Sequence, residues 1–363
     1  MSALSPLKLR VAAITRETAD AVTVHFEDPT GRPLPAYRAG QYLTLILPVP
    51  DPQNSGRPVR RAYSLSSAPH ENACAVTVKQ VAGGLASRYI VNQLRAGDTL
   101  DVLPPIGSFT TEFGGARARQ FVLVGGGSGI TPLLSIAKTV LRDEPQSRLL
   151  LIYGNRDREA TIFADQLAKL EADSGGRLVI DHVLEAGDCL YPGRFSVEIF
   201  KKILAARGIA TKEALYFLCG PEGLMNAART ALDESGVPVA QVLRESFTAP
   251  TASAGPAPVE ATAASAAAAS PAGPRKVKIH FEGSEYEVAV EPNQSILEAG
   301  LDAGIDLPYS CQAGLCTACR GRCLSGAVRM DEREGLSDAE IAKGYVLLCV
   351  GHPTTDDVAV EIG

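Results

Sequence analysis

Four cysteines near the C-terminus carry the clearest chemistry in the chain. Cys311, Cys316 and Cys319 follow a C-x4-C-x2-C pattern, and Cys349 comes 30 residues later. This is the plant-type spacing in which four thiolates hold the two irons of a [2Fe–2S] cluster. The run from Pro308 to Cys319 reads PYSCQAGLCTAC. Its small residues let backbone N–H groups approach the sulfurs, and such hydrogen bonds tune the reduction potential. A zinc site would use C-x2-C pairs or histidines, and the gap between Cys311 and Cys316 is too wide for that habit. Cys323 follows four residues after the triplet, but four thiolates saturate the cluster, so it reads as a small core residue. Cys74 and Cys189 carry no partner motif and read as structural.

A second group of residues suits a dinucleotide. After the apolar run Phe121–Val124 comes Gly125-Gly126-Gly127-Ser128-Gly129-Ile130-Thr131-Pro132. A glycine turn between a strand and a helix start aims backbone N–H groups at a pyrophosphate, and the helix dipole favours its charge. Thr131 is placed to cap that helix and Pro132 suits its first turn. The loop departs from the G-x-G-x-x-G fingerprint, because G-x-G-x-x-P is what stands here. A third group is Arg61-Ala62-Tyr63-Ser64, ending one strand, and Gly83-Gly84-Leu85-Ala86-Ser87, opening a helix that runs to Leu94. An Arg, a flat aromatic ring and a helix N-terminus suit a diphosphate and a flavin ring.

These groups need a scaffold, and the chain has room for one. Its 363 residues fit two or three domains, and 45% hydrophobic with 21% charged residues is globular composition. The net charge of −6 argues against a nucleic-acid binder. No apolar run reaches the roughly 18–20 residues of a membrane span, and the first ten residues lack a signal-peptide layout. A soluble, cytoplasmic protein is expected. Up to residue 113 the sequence reads as short alternating strands (Ala21–Glu27, Tyr42–Leu47, Ala75–Val81, Thr99–Leu103) broken by Gly and Pro, which predicts an antiparallel β-barrel. From 114 to 247 apolar strands (Phe121–Val124, Leu149–Tyr153, Leu178–Val183, Tyr216–Leu218) alternate with helical patterns. The helices fall at Leu133–Leu141, Ala160–Glu171, Val197–Ala206 and Leu224–Glu234, which predicts a doubly wound α/β domain. Residues 248–274 hold 12 Ala and 5 Pro among 27 and read as a flexible linker. The last region, 275–363, carries 8 Lys/Arg against 15 Asp/Glu, a net −7 that leaves the rest of the chain at +1. Such acidity keeps a module soluble and would also steer it toward a basic docking face.

Arg61-x-Tyr63-Ser64, Gly84-x-x-Ser87, Gly127-x-Gly129-x-x-Pro132 and Cys219-Gly220-Pro221 occur in the order found in the ferredoxin–NADP reductase superfamily, which the chain resembles over nearly its whole length. With a fused C-terminal ferredoxin, the layout is most similar to the reductase components of bacterial oxygenases, in particular those of phenylacetyl-CoA epoxidase and 3-ketosteroid 9α-hydroxylase. The resemblance implies a β-grasp fold for residues 275–363. It implies that Arg61 contacts the flavin diphosphate, Tyr63 packs on the flavin and Ser64 hydrogen-bonds near N5. The Leu85 and Ala86 N–H groups with the Ser87 hydroxyl would hold phosphate at the helix that Gly84 opens. Gly127, Gly129 and Thr131 would hold the nicotinamide nucleotide, with Gly220 and Pro221 beside Cys219 at the hydride path. Glu245-Ser246-Phe247 matches a place where family members put a carboxylate and an aromatic ring near the flavin, which makes Ser64, Cys219 and Glu245 the candidate catalytic set. Some members with this domain order use FMN, but the Gly84-x-x-Ser87 start resembles the FAD members.

The nucleotide preference is balanced. Arg156 and Arg158 follow the second α/β strand and could bind the 2′-phosphate of NADPH, while Asp157 and Glu159 beside them oppose it and leave NADH open. A nicotinamide delivers two electrons together and a [2Fe–2S] cluster takes one, so the flavin must split the pair. None of the five histidines forms a catalytic arrangement. The leading expectation is therefore electron supply from NAD(P)H, through FAD and the cluster, to a separate oxygenase or hydroxylase. A self-sufficient diaphorase acting on quinones or ferric chelates, and a cluster-based redox sensor, are the rivals. The intact nucleotide motifs count against the sensor, and a tethered ferredoxin is superfluous for a diaphorase.

Overall fold

The computed structural model describes residues 6–52, 56–247, 259–262, 273–333 and 335–362. Two compact units make it up, and the larger comprises Pro6–Val59 and Tyr63–Phe247.

The first part of the chain is built of β1 (Leu7–Thr18), β2 (Ala21–Glu27), β3 (Tyr42–Pro50), β4 (Pro58–Ser64, of which Arg60–Ala62 fall outside the larger unit), β5 (Cys74–Lys79), helix α1 (Leu85–Asn92) and β6 (Thr99–Ile106). The strands form one six-stranded sheet in the order β4-β3-β6-β1-β2-β5, with antiparallel ladders. Apolar residues at every second position, such as Leu43, Leu45 and Leu47 or Val22, Val24 and Phe26, fall on one face and fill a shared core. Tyr63 and Leu85 pack against the same core. The expected antiparallel barrel is present.

The second part is the expected α/β layer. It runs β7 (Gln120–Gly126), α2 (Ile130–Asp143), β8 (Arg148–Asn155), α3 (Ala164–Asp173), β9 (Leu178–Leu184), β10 (Tyr191–Pro192), α4 (Val197–Ala206), β11 (Leu215–Cys219), α5 (Glu222–Glu234) and β12 (Val242–Glu245). All its ladders are parallel and the order is β10-β9-β8-β7-β11-β12. Central strands buried on both faces explain why they read as continuous apolar runs. Phe121 and Leu123 enter one core, Val122 and Val124 the other. From β7 the chain adds β8, β9 and β10 on one side and then crosses through α4 to β11 on the other, which opens a crevice where β7 lies between β8 and β11, at the carboxyl ends of these strands.

Two local expectations need correction. Helix α3 starts at Ala164 and not at Ala160. The Asp157 carboxylate accepts from the Ala160 N–H at 2.8 Å, the Thr161 hydroxyl donates to the Asp157 carbonyl at 3.0 Å, and Phe163 turns left-handed at φ 62°. A side-chain-capped turn therefore occupies residues whose pattern alone is helical. Thr131 is likewise no cap: it lies inside α2, and its hydroxyl donates to the Ser128 carbonyl at 3.0 Å.

The C-terminal region contains β13 (Val259–Thr262), β14 (Arg275–Phe281), β15 (Ser284–Val290), α6 (Ile296–Asp302), β16 (Arg320–Ser325), β17 (Ala327–Met330), α7 (Asp338–Ala342), β18 (Tyr345–Leu347), β19 (Gly351–Pro353) and β20 (Val358–Ile362). A five-stranded mixed sheet, β15-β14-β20-β16-β18, carries α6 in the manner of a β-grasp fold, and β13-β17-β19 form a second, small sheet. A capping box starts α6, with Ser295 accepting from the Glu298 N–H and Glu298 accepting from that of Ser295. Most of the segment read as a linker lies outside the described residues. Within it, Val259–Thr262 pairs antiparallel with β17. These four residues hold β-branched Val259 and Thr262 and no proline, so an edge ladder is open to them.

Candidate functional site

The three candidate catalytic residues meet at one edge of the parallel sheet. Gly125, Cys219 and Glu245 are in register as neighbours at the carboxyl ends of β7, β11 and β12. The Ser64 hydroxyl, from the end of β4, donates to Glu245 Oε2 at 2.9 Å. The barrel is fixed to the α/β layer so that this meeting occurs. Ser135 of α2 donates to the Ser67 carbonyl at 2.6 Å, and Lys138, one turn on, pairs with Glu71 at 2.8 Å. Burial pushes the Glu245 carboxyl up to about 7, against the Ser64 hydrogen bond, which lowers it. Burial, and then the Glu245 charge, push the Cys219 thiol well up, so Cys219 stands as a neutral thiol and not as a nucleophile.

The glycine loop leads to the crevice. Gly127 turns left-handed at φ 52°, and a side chain there would point into open space. Gly129 is required for the opposite reason, since a Cβ on it would stand 2.0 Å from the Cys219 carbonyl oxygen. A cavity of about 200 Å³ is lined by Gly126, Gly127, Arg156 and Pro221 among others. Gly129 and Thr131 are buried beneath the loop, with Gly220 adjoining it. Arg158 does not join the lining: its guanidinium donates to the Asp188 carbonyl at 3.3 Å, and Asp157 beside it is spent on the turn before α3. The cavity takes in three charged residues that sequence reading missed, Lys79, Glu185 and Arg194. Glu185 directly follows β9, so the strand-end rule that selects Arg156 would find it if applied to the next strand, and Arg194 lies two residues past β10. Lys79 comes from the barrel, and nothing local in the sequence marks it.

The remaining flavin candidates lie on the barrel. Arg61 is on β4 three residues before Ser64, and its guanidinium donates to the Arg60 carbonyl at 2.7 Å. Gly84 precedes α1, where the Leu85 and Ala86 N–H groups begin the first turn and have no intrahelical acceptor. The Ser87 Oγ accepts from the Val81 N–H at 3.0 Å, which closes the loop before the helix and leaves the hydroxyl proton to donate. Phe247, two residues past Glu245, is 43% exposed, an unusual position for a large aromatic ring.

In the C-terminal region the four cluster cysteines converge. The Cys311 sulfur meets the thiols of Cys316 and Cys349, and Cys349 also meets Cys319. Hydrogen bonds from Cys316 and then Cys349 pull Cys311 well below the usual thiol range. The Ala313 N–H donates to the Cys311 sulfur at 3.4 Å. Gly335 seals the loop: its N–H donates to the Gly314 carbonyl at 2.9 Å, and a Cβ on it would stand 2.9 Å from the Cys316 carbonyl oxygen. Four sulfurs and inward N–H donors are the donor set a [2Fe–2S] cluster requires. Cys323 is bonded to the Ser325 carbonyl at 3.2 Å and packs on the core, as expected of a structural residue.

Comparison with known proteins agrees with this division. An oxidoreductase FAD-binding domain model matches residues 8–111, an oxidoreductase NAD-binding domain model residues 123–230, and a 2Fe-2S iron-sulfur cluster binding domain model residues 279–354. The ferredoxin reductase component of 3-ketosteroid-9-alpha-monooxygenase from Rhodococcus rhodochrous is 36% identical, over 97% of this chain and 96% of its own. A subunit of 1,2-phenylacetyl-CoA epoxidase from Escherichia coli (strain K12) is 34% identical over the same shares. Among solved structures, phthalate dioxygenase reductase superposes with a TM-score of 0.61 at 27% identity, covering 98% of both chains.

Proposed function

Because the chain belongs to the ferredoxin–NADP reductase superfamily, as an FAD- and NAD(P)H-dependent oxidoreductase with a fused [2Fe–2S] ferredoxin domain, we propose that it carries reducing equivalents from NAD(P)H to a separate oxygenase or hydroxylase component. Similar chains serve as the reductase component of a ketosteroid monooxygenase and as part of an epoxidase, which supports this class of partner. When bound, FAD would take up one hydride, a single electron pair, and release those two electrons singly, and the cluster would carry one at a time.

The observation that carries the reading is the Ser64–Glu245 pair beside Cys219 at the mouth of the crevice. The Ser64 hydroxyl donates to Glu245 Oε2, and burial leaves that carboxyl close to its titration point at neutral pH, next to where the flavin ring and the nicotinamide would face each other. Cys219 supplies a neutral, buried wall that excludes water from the hydride path. Arg61 and the N–H groups of Leu85 and Ala86, with the Ser87 hydroxyl, bind the flavin diphosphate, and Tyr63 and Phe247 pack on the flavin. Gly127, with Gly129 and Thr131 shaping the loop from below and Gly220 and Pro221 from the facing strand end, accepts the nicotinamide pyrophosphate. Cys311, Cys316, Cys319 and Cys349 bind the two irons. Domain limits at 1–113, 114–247 and 275–363, with 248–274 as the tether, fit these roles. Among the charges on the cavity wall, Lys79, Arg156 and Arg194 outnumber Glu185, which favours NADPH over NADH, although Arg158, bonded to the Asp188 carbonyl, adds nothing to that balance. None of the eight cysteines is joined in a disulfide, which suits a reducing cytoplasm.

Among the described residues no helix is long and apolar enough to cross a membrane. The test is steady-state oxidation of NADPH by the holoprotein with a purified oxygenase component, against an artificial dye. Cluster removal by Cys349→Ser should abolish transfer to the oxygenase and spare the dye. Equal loss with both acceptors, or retention of both, would speak against a relay through the cluster.

A further inference from the structure

We infer that the Ser310 hydroxyl is a side-chain hydrogen-bond donor to the [2Fe–2S] cluster and sets its reduction potential. The inference rests on the cluster reading of Cys311, Cys316, Cys319 and Cys349. Ser310 is 1% exposed and closes a run of four buried residues, Leu307 to Ser310, immediately before the ligand Cys311. Its Oγ has no hydrogen-bond partner among the described residues. A buried hydroxyl left without a partner is costly, and folded chains rarely keep one unless something outside the chain satisfies it. A water in that role would need two to four polar partners of its own, and the preceding residues Leu307, Pro308 and Tyr309 make an apolar approach.

The acceptor chemistry next door is of one kind. The sulfur of Cys311 takes a bond from the Ala313 N–H on the other side of the same ligand, so this stretch of chain already aims donors at sulfur. Thiolates and bridging sulfides are acceptors with no proton to give, and a serine hydroxyl can rotate its proton to them. Reduction adds one negative charge to the cluster, so a donor stabilises the reduced form more than the oxidised form and raises the potential. The sequence pattern credits the backbone N–H groups of the loop with this tuning; the orphaned Oγ adds a side chain to the set.

The experiment is a redox titration of the full-length holoprotein, followed by electron paramagnetic resonance, with iron content measured on each sample. In Ser310→Ala the ratio of reduced to oxidised cluster at a fixed potential should fall by up to about tenfold, equivalent to a downward shift of about 59 mV for one electron. Ser310→Thr, which keeps the hydroxyl, should return the potential toward that of the unmodified protein. A fully loaded Ser310→Ala protein with an unchanged potential overturns the inference and leaves the cluster reading intact. If Ser310→Ala does not load iron, Ser310→Thr decides. Loading at the original potential supports the hydroxyl, and failure to load overturns it in favour of side-chain size. An unmodified chain that binds no iron would sink the cluster reading itself.

Discussion

Two glutamates sit on opposite edges of the same parallel sheet and are treated in opposite ways. Glu144, beyond the end of α2 at the edge where β8 begins, is fully buried. It is held by the Arg119 guanidinium through two nitrogens, by the Ser147 hydroxyl at 2.7 Å and by the Gly114 N–H at 3.2 Å. Burial would raise its carboxyl, but the hydrogen bonds from Arg119, Ser147 and Gly114 together hold it below the ordinary value. Glu245, at the carboxyl edge, has the Ser64 hydroxyl as donor and, among the described residues, no such guanidinium clamp, and burial leaves it near 7. The first is a charge neutralised to hold chain segments together. The second is a carboxyl left close to its titration point, where proton chemistry can use it.

This contrast can be broken by exchange of roles. The largest effect is expected at the structural site. Glu144→Ala leaves Arg119 without its partner and should cost about 3–5 kcal/mol, read as a lowered Tm with unchanged rate per folded molecule. Next, Glu245→Gln should slow reduction of the bound flavin by NADPH about 100-fold, within the usual range for a positioned acid or base, with Tm held or raised at pH 8. Stopped-flow absorbance checks the rate; a variant that is slow only because it is unstable would refute the distinction between the sites.

The two carboxyls also predict opposite pH trends. Glu144, lowered on folding, adds stability that is present above the ordinary 4.5 and lost as pH falls through its folded value. Glu245, raised to about 7, favours the folded chain below 4.5, and that contribution is lost as pH rises through 7. Denaturation between pH 3 and 9 should therefore show the acid limb disappear in Glu144→Gln and the neutral limb disappear in Glu245→Gln. A smaller effect is expected at the cavity: Arg156→Ala should raise the KM for NADPH about tenfold and leave that for NADH unchanged, by loss of one charge-assisted contact. The smallest concerns the tether. Deleting most of residues 248–274 should slow turnover with the protein acceptor, because it changes the effective concentration of the ferredoxin domain at the flavin. Unchanged turnover would make the segment a passive spacer.

Much of the fold and site is legible in the residues because the signals are local. The C-x4-C-x2-C spacing, the alternating strands of the barrel and the apolar runs of the sheet each report a geometry confined to a few consecutive positions. Ser64, Cys219 and Glu245 are individually bland, and the family order of the motifs singles them out. Their meeting depends on the Ser135 and Lys138 contacts that seat the barrel, which no local pattern records. The misreadings have the same origin. Thr131 fits the cap rule and the 160–163 segment the helix pattern, but the Thr131 hydroxyl donates to the Ser128 carbonyl from inside α2 and the Asp157 carboxylate accepts from the Ala160 N–H. Lys79 and Arg194 enter the cavity from distant segments and carry no motif.

The most direct test of the account is an anaerobic titration of the holoprotein with NADPH and then NADH, followed by visible absorbance and electron paramagnetic resonance. The account predicts bleaching of the flavin together with a rhombic signal from the reduced [2Fe–2S] cluster, with NADPH the faster donor. Bleaching of the flavin while the cluster stays oxidised and silent would contradict it, and electrons would then leave from the flavin without passing through the four cysteines.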